Sequence, residues 1–339
     1  MGTAHREDSI GMCDVQPNEI VLPRNTGYRQ SRPTLCIGLD FAWFGGSAND
    51  RTSQFDFLAA VLINANEERP DLHCRRVALP DRDPNGEYLV AAIEAILGEF
   101  KSERIVLAID APLQTNRNNL PPRQPRPQRG TVQRRAVDSY LSDCRKRIDR
   151  HACGPSGWHP NIQPGAPLPQ RLQSVLQQVT NPHRFIPWMD DLSQEPRIVI
   201  ECFPAEAIWA AKRLNQFPEH LSAVNVRSYK KQAGSQLSAC QVRRLVKTAL
   251  LEGFKRPSGA NGIWPRLVEK VIDWMLVDPS WQRNGFYRGG KMLDDVVDSM
   301  ICLATAISYA TNNAHVWFDP DDPGDGHIIG PGRFGEVLQ

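Results

Sequence analysis

The chain has 339 residues, 41% of them hydrophobic and 23% charged, with a formal net charge of +2. That composition is globular and excludes wholesale disorder, and no run approaches the ~18 apolar residues of a membrane span. Eight cysteines stand singly without a CxxC pair, and the start lacks a secretory pattern. The expectation is a cytoplasmic chain with reduced thiols and no membrane partner.

Residues 1–32 are polar, contain Pro and Arg, and lack periodicity, which reads as a mobile leader. Order is expected from Thr34, where TLCIGLD forms a short apolar run of the kind a buried strand needs. Gln54–Asn64 and His73–Leu79 are two further strand-like runs, close enough to make an antiparallel meander with the first. Asp83-Pro84-Asn85-Gly86 introduces a helix, because Leu89, Ile93, Ile96, Leu97 and Phe100 fall on one 3.6-period face. Arg104–Asp110 (RIVLAID) is the fourth strand and Arg197–Phe203 (RIVIECF) the fifth. The segment between them, about 111–196, is too long for a plain loop and must carry its own structure. Within it 117–131 is Pro- and Arg-rich, 134–149 reads as a basic helix, and 152–169 is again Gly- and Pro-rich. Ala205–Phe217, Cys240–Phe254, Arg266–Val277 and Leu293–Ala310 read as helices, and the acidic stretch from Asp319 as turns. A single α/β domain over 33–332 follows, with a tail at 333–339. Its sheet is mixed and covered by helices, since a meander precedes the strands that alternate with helices.

The strands end in acids. Asp40 closes the first, Asp110 closes the fourth, Glu201 lies in the fifth between Ile200 and Cys202, and the last helix opens with Asp294, Asp295 and Asp298. Taken singly, Asp40 and Asp110 can be turn residues at strand ends, and Asp294 or Asp295 an acid favoured at a helix N-terminus. Glu201, mid-strand between apolar neighbours, is hardest to explain that way. Taken together they suggest more. Neighbouring strands stand ~4.8 Å apart, so acids at corresponding ends can converge, and converging carboxylates repel unless a cation neutralises them. Oxygen ligands of this kind select Mg²⁺ or Mn²⁺ rather than zinc.

Charge is distributed unevenly. Residues 117–150 hold ten Arg and Lys against three Asp, and residues 227–256 hold eight against Glu252 alone, leaving an acid surplus elsewhere. Basic stretches beside acids suit a protein that holds a polyanion next to a cation site, with Arg134, Arg135, Arg145 and Arg147 as candidate nucleic-acid contacts. Solvated helix and loop faces explain either stretch equally well when it is read alone.

Four motifs in order, GLD at 38–40, AIDAPL at 108–113, ECFPAEAIW at 201–209 and DDVVDSMICLATA at 294–306, resemble a family catalogued as a domain of unknown function and predicted to be RNase H-like nucleases. The last motif also resembles the closing helix of RuvC-type resolvases. The resemblance covers roughly residues 34–332 and includes Tyr229-Lys230-Lys231. It implies an RNase H-like mixed five-stranded sheet with Asp40, Asp110 and Asp298 as metal ligands, and with Glu201 and Asp295 as the fourth and fifth. Ser299 stands where family members often carry Ala.

The chemistry expected is phosphodiester hydrolysis of DNA or RNA with two Mg²⁺ or Mn²⁺ ions. Asp40 would bridge them, and Lys230 or Lys231 would steady the charge that develops on the phosphate. Two alternatives belong to other classes. An actin-like ATP-dependent phosphotransferase would share the meander and the Asp40…Gly45-Gly46 pattern but needs a second such domain. A non-catalytic nucleic-acid-binding scaffold would keep the fold and the basic stretches without the chemistry. Cys144, His151, Cys153 and His159 match no common zinc spacing, and Gly289-Gly290-Lys291 lacks the upstream Gly of a phosphate loop.

Overall fold

The computed structural model describes residues 33–41, 55–63, 72–78, 86–113, 135–148, 168–179, 185–187, 196–204, 206–207, 291–310, 314–322 and 324–331. The leader at 1–32, the loop at 117–131, nearly all of the Ala205–Phe217 helix, the helices Cys240–Phe254 and Arg266–Val277, and the tail at 333–339 lie outside these residues.

The strands are β1 (Thr34–Asp40), β2 (Phe55–Ile63), β3 (Leu72–Ala78), β4 (Arg104–Ile109), β5 (Ile186–Pro187) and β6 (Arg197–Glu201), in the sheet order β3-β2-β1-β4-β6-β5. β1, β2 and β3 pair antiparallel, whereas β4 runs parallel to β1 and β6 parallel to β4. The sheet is thus mixed, antiparallel on one side and parallel on the other, as the order of elements in the sequence implies. The two-residue β5 at the parallel edge is a strand that the sequence reading lacks, its second residue being a proline, which suits an edge.

Alternation along β1 and β4 divides the sheet into two faces. Leu35, Ile37 and Leu39 stand in register with Ile105, Leu107 and Ile109. Together with Val199 they form one core with α1 (Glu87–Glu99), through Leu89, Ile93 and Ile96, and with α3 (Leu168–Gln178), through Leu172 and Val175. α1 starts after Gly86, whose φ of 73° lies in the left-handed region that glycine adopts without strain. The residues between, Cys36, Gly38 and Asp40, therefore point to the opposite face. There α4 (Lys291–Ala310) lies against β1. With both faces covered, these strands read as continuous apolar runs rather than alternating ones.

After α4 the chain forms a hairpin, β7 (Ala314–Trp317) paired antiparallel with β8 (Ile328–Pro331), two strands that the sequence reading lacks on either side of the acidic turn stretch from Asp319. The hairpin is a separate two-stranded sheet, linked to the end of β6 by one parallel bridge between Ile329 and Cys202. It also holds α2 (Ala136–Ile148). Asp325 Oδ2 accepts the Ala136 N–H at 2.7 Å, satisfying one donor that the first turn of a helix leaves open. Val137 and Leu141 of α2 pack with Trp317 and Ile328 in a second, smaller core.

Candidate metal centre

The site grows out of the β1–β4 pairing. Leu39 is in register with Ile109, and the Asp110 N–H donates to the Leu39 carbonyl at 3.1 Å, so Asp40 and Asp110 follow one another across adjacent strand ends. α4 supplies the third acid. A β-carbon at Gly38 would stand 2.2 Å from both the Ser299 carbonyl oxygen and the Leu303 nitrogen, so only glycine lets the helix backbone settle directly on β1. That close approach brings Asp298, the residue before Ser299, to the end of the strand. The result is a group of three carboxylates, Asp40, Asp110 and Asp298, each offering an oxygen within 4.8 Å of the others. Asp40 is 8% exposed and Asp298 3%, which makes mutual repulsion between them costly without a compensating cation. Three converging hard oxygen donors fit Mg²⁺ or Mn²⁺. Ser299 is fully buried, and its backbone carbonyl is the atom that meets Gly38.

Glu201 has a different partner. It is in register with Ile109 rather than Asp110, so alternation turns it away from the face that carries Asp40, Asp110 and Asp298. Arg135 meets it with two parallel hydrogen bonds, Nη1 to Oε2 and Nη2 to Oε1, both at 2.5 Å. Leu113 N–H donates to the same Oε2 at 3.0 Å. Arg135 also reaches Asp138, through Nη2 to Oδ1 at 2.7 Å and Nε to Oδ2 at 3.1 Å. Burial pushes the Glu201 carboxyl above the usual carboxylate range, while Arg135 and the Leu113 N–H pull it back. Burial alone would weaken the Arg135 cation, but Glu201 and Asp138 outweigh it and raise its pKa. Glu201, expected as a metal ligand, lies outside the group of three carboxylates and is engaged by Arg135.

The same contacts revise the expectation for Arg135, which at 4% exposure is a buried residue rather than a surface contact for phosphate. Asp295, Arg145 and Arg147 fall on α4 and α2, with side chains outside the described set, and Arg134, Lys230 and Lys231 lie outside the described residues. The Cys144, His151, Cys153 and His159 group likewise has no described side chain.

Two buried groups escape sequence reading. Cys202 and Cys302 come together near Asp110 and Asp40. The Cys302 thiol is pushed well up by burial, then by Cys202, Asp110 and Asp40, and Cys202 Sγ lies 3.3 Å from Thr305 Oγ1. Farther along, Glu206 is fully buried and accepts from Trp317 Nε1 at 2.9 Å, with His315 Nε2 at 3.1 Å from the same oxygen. Glu206 sits in the ECFPAE motif, but its partners come from the hairpin that the sequence hides.

Among the described residues no helix is long and apolar enough to cross a membrane. Compared with protein-family models, with curated proteins and with solved structures, the chain matches none of them.

Proposed function

We propose that the chain is a metal-dependent nuclease with an RNase H-like fold, hydrolysing phosphodiester bonds in DNA or RNA. One observation carries the reading: Asp40, Asp110 and Asp298, drawn from two adjacent strand ends and the closing helix, present oxygens within 4.8 Å of one another. The order of antiparallel and parallel strands, β3-β2-β1-β4-β6, and the four motifs that resemble the RNase H-like family support the same reading.

In this reading the three aspartates would hold Mg²⁺ or Mn²⁺, and Asp40, on β1 between β2 and β4, would be the ligand common to two ions. Bound divalent ions supply an activated water and charge stabilisation at the leaving oxygen. The protein's part is to fix three carboxylates, two of them buried, so that they need little reorganisation when the cations and the phosphodiester arrive. Glu201 and Arg135 stand outside this ligand set. Phosphate contacts would come from the basic stretches, Arg145 and Arg147 included, and such contacts weaken as salt rises.

The test is to incubate the purified chain with labelled single-stranded, double-stranded and branched DNA and RNA, in Mn²⁺, Mg²⁺ or chelator. Cleavage that needs the cation and disappears in Asp40→Asn is the expected result. Intact substrates in every arm, with no Mn²⁺ bound by the protein, would refute it. Salt-sensitive binding without cleavage would favour a scaffold instead.

A further inference from the structure

The segment after β4 is held from the side opposite the three aspartates. Asp110 faces α4, yet three residues later the Leu113 N–H donates to Glu201 Oε2 on the other side of the sheet, at 3.0 Å. Glu201 is itself fixed by two bonds from Arg135, and Arg135 by Asp138 and by its place at the start of α2. The Ile109–Glu201 register and the Cys202 N–H bond to the Ile109 carbonyl at 2.9 Å tie the same strand ends together. Asp110 thus leaves β4 on a short turn pinned at both ends, by Leu39 before it and Glu201 after it.

We propose that Glu201 is a positioning residue for Asp110: its side-chain oxygen, accepting from the Leu113 N–H, anchors the 110–113 turn and so sets where the Asp110 carboxylate stands. This rests on the reading of Asp40, Asp110 and Asp298 as a cation site. The second layer around a metal ligand orients it, and losing such a partner typically costs 10–100-fold in metal affinity. The acceptor at Leu113, rather than the charge of Glu201, is the part that matters.

Two variants of the full chain separate acceptor from charge. Arg135→Met and Asp138→Asn together remove the ion pairs, and to this pair is added either Glu201→Gln, which keeps an oxygen for Leu113, or Glu201→Leu, which does not. Mn²⁺ affinity is measured by calorimetry, and hydrogen exchange is followed over residues 110–113 without metal. The Gln form should bind Mn²⁺ within about threefold of the parent and the Leu form about tenfold or more weakly, with faster exchange in the turn. Equal affinities for the two forms overturn the anchor. A parent chain that binds no Mn²⁺ overturns the cation site instead, and the anchor is then judged by exchange alone. Should the variants not fold, the parent decides: a slowly exchanging Leu113 amide supports the anchor, and a freely exchanging one overturns it.

Discussion

The carbonyl of Ser299 lies over Gly38 with no room for a β-carbon between them. The β1–β4 pairing sets Asp40 beside Asp110, and this contact adds the third acid, because Asp298 reaches them only when α4 rests directly on β1. Gly38→Ala should therefore push the helix outward. We expect a loss of about 3 kcal/mol in urea unfolding, at the upper end for overpacking a core, because the clash is with backbone that cannot rotate away. Mn²⁺ binding should fall with it. Unchanged unfolding and binding would mean that the helix has slack at this point.

Asp40→Asn keeps the size of the side chain and removes one negative charge. Cleavage supported by Mn²⁺ should drop by about a hundredfold or more. Thermal melting without metal should stay level or rise, because repulsion among three close carboxylates is relieved. A variant that cleaves like the parent, or that melts earlier in chelator, would make Asp40 structural.

Arg135→Met leaves Glu201 and Asp138 buried without their cation. Removing one partner of a buried pair typically costs about 3–5 kcal/mol, and chemical denaturation should register a loss in that range. Arg145→Glu with Arg147→Glu should instead leave the unfolding midpoint in place and weaken nucleic-acid binding, most visibly at low salt. If the two sets of variants behaved alike, Arg135 would be a surface residue after all.

Cys36 supplies a pH prediction. Burial, opposed in part by Arg104, pushes its thiol from an ordinary 9.0 up to about 12. Between those values the unfolded chain has released the proton and the folded chain still holds it. Unfolding then gains from each rise in pH, and stability falls, by about 1 kcal/mol for this group near pH 10. Cys36→Ala should flatten the alkaline limb of a stability-against-pH curve. An identical slope in parent and variant would count against this burial.

Much of this arrangement is legible in the sequence, for physical reasons. RIVLAID and TLCIGLD are too short and too apolar for anything but covered strands, and the stripe on Leu293–Ala310 marks a packed helix. Asp40, Asp110 and Asp298 could be named because each sits at the end of such a run or on such a helix. Glu201 shows the limit. Its presence in an apolar strand is visible, but the face it takes depends on being opposite Ile109 rather than Asp110, and one residue of register reverses the side. Arg135 was hidden among nine other basic residues of the 117–150 stretch, where composition suggests a solvated face. The hairpin was hidden because Asp319–Gly326 has turn chemistry and its two strands are four residues each.

The three aspartates lie far apart along the chain, two in the first third and one on the last helix. While a ribosome is still extending the chain, Asp40 and Asp110 can pair their strands, but the third carboxylate does not yet exist. No nascent chain shorter than the start of α4 can assemble the group of three, so a growing polypeptide surrounded by messenger and ribosomal RNA holds at most two of these acids. The three carboxylates come together only once α4 has been made.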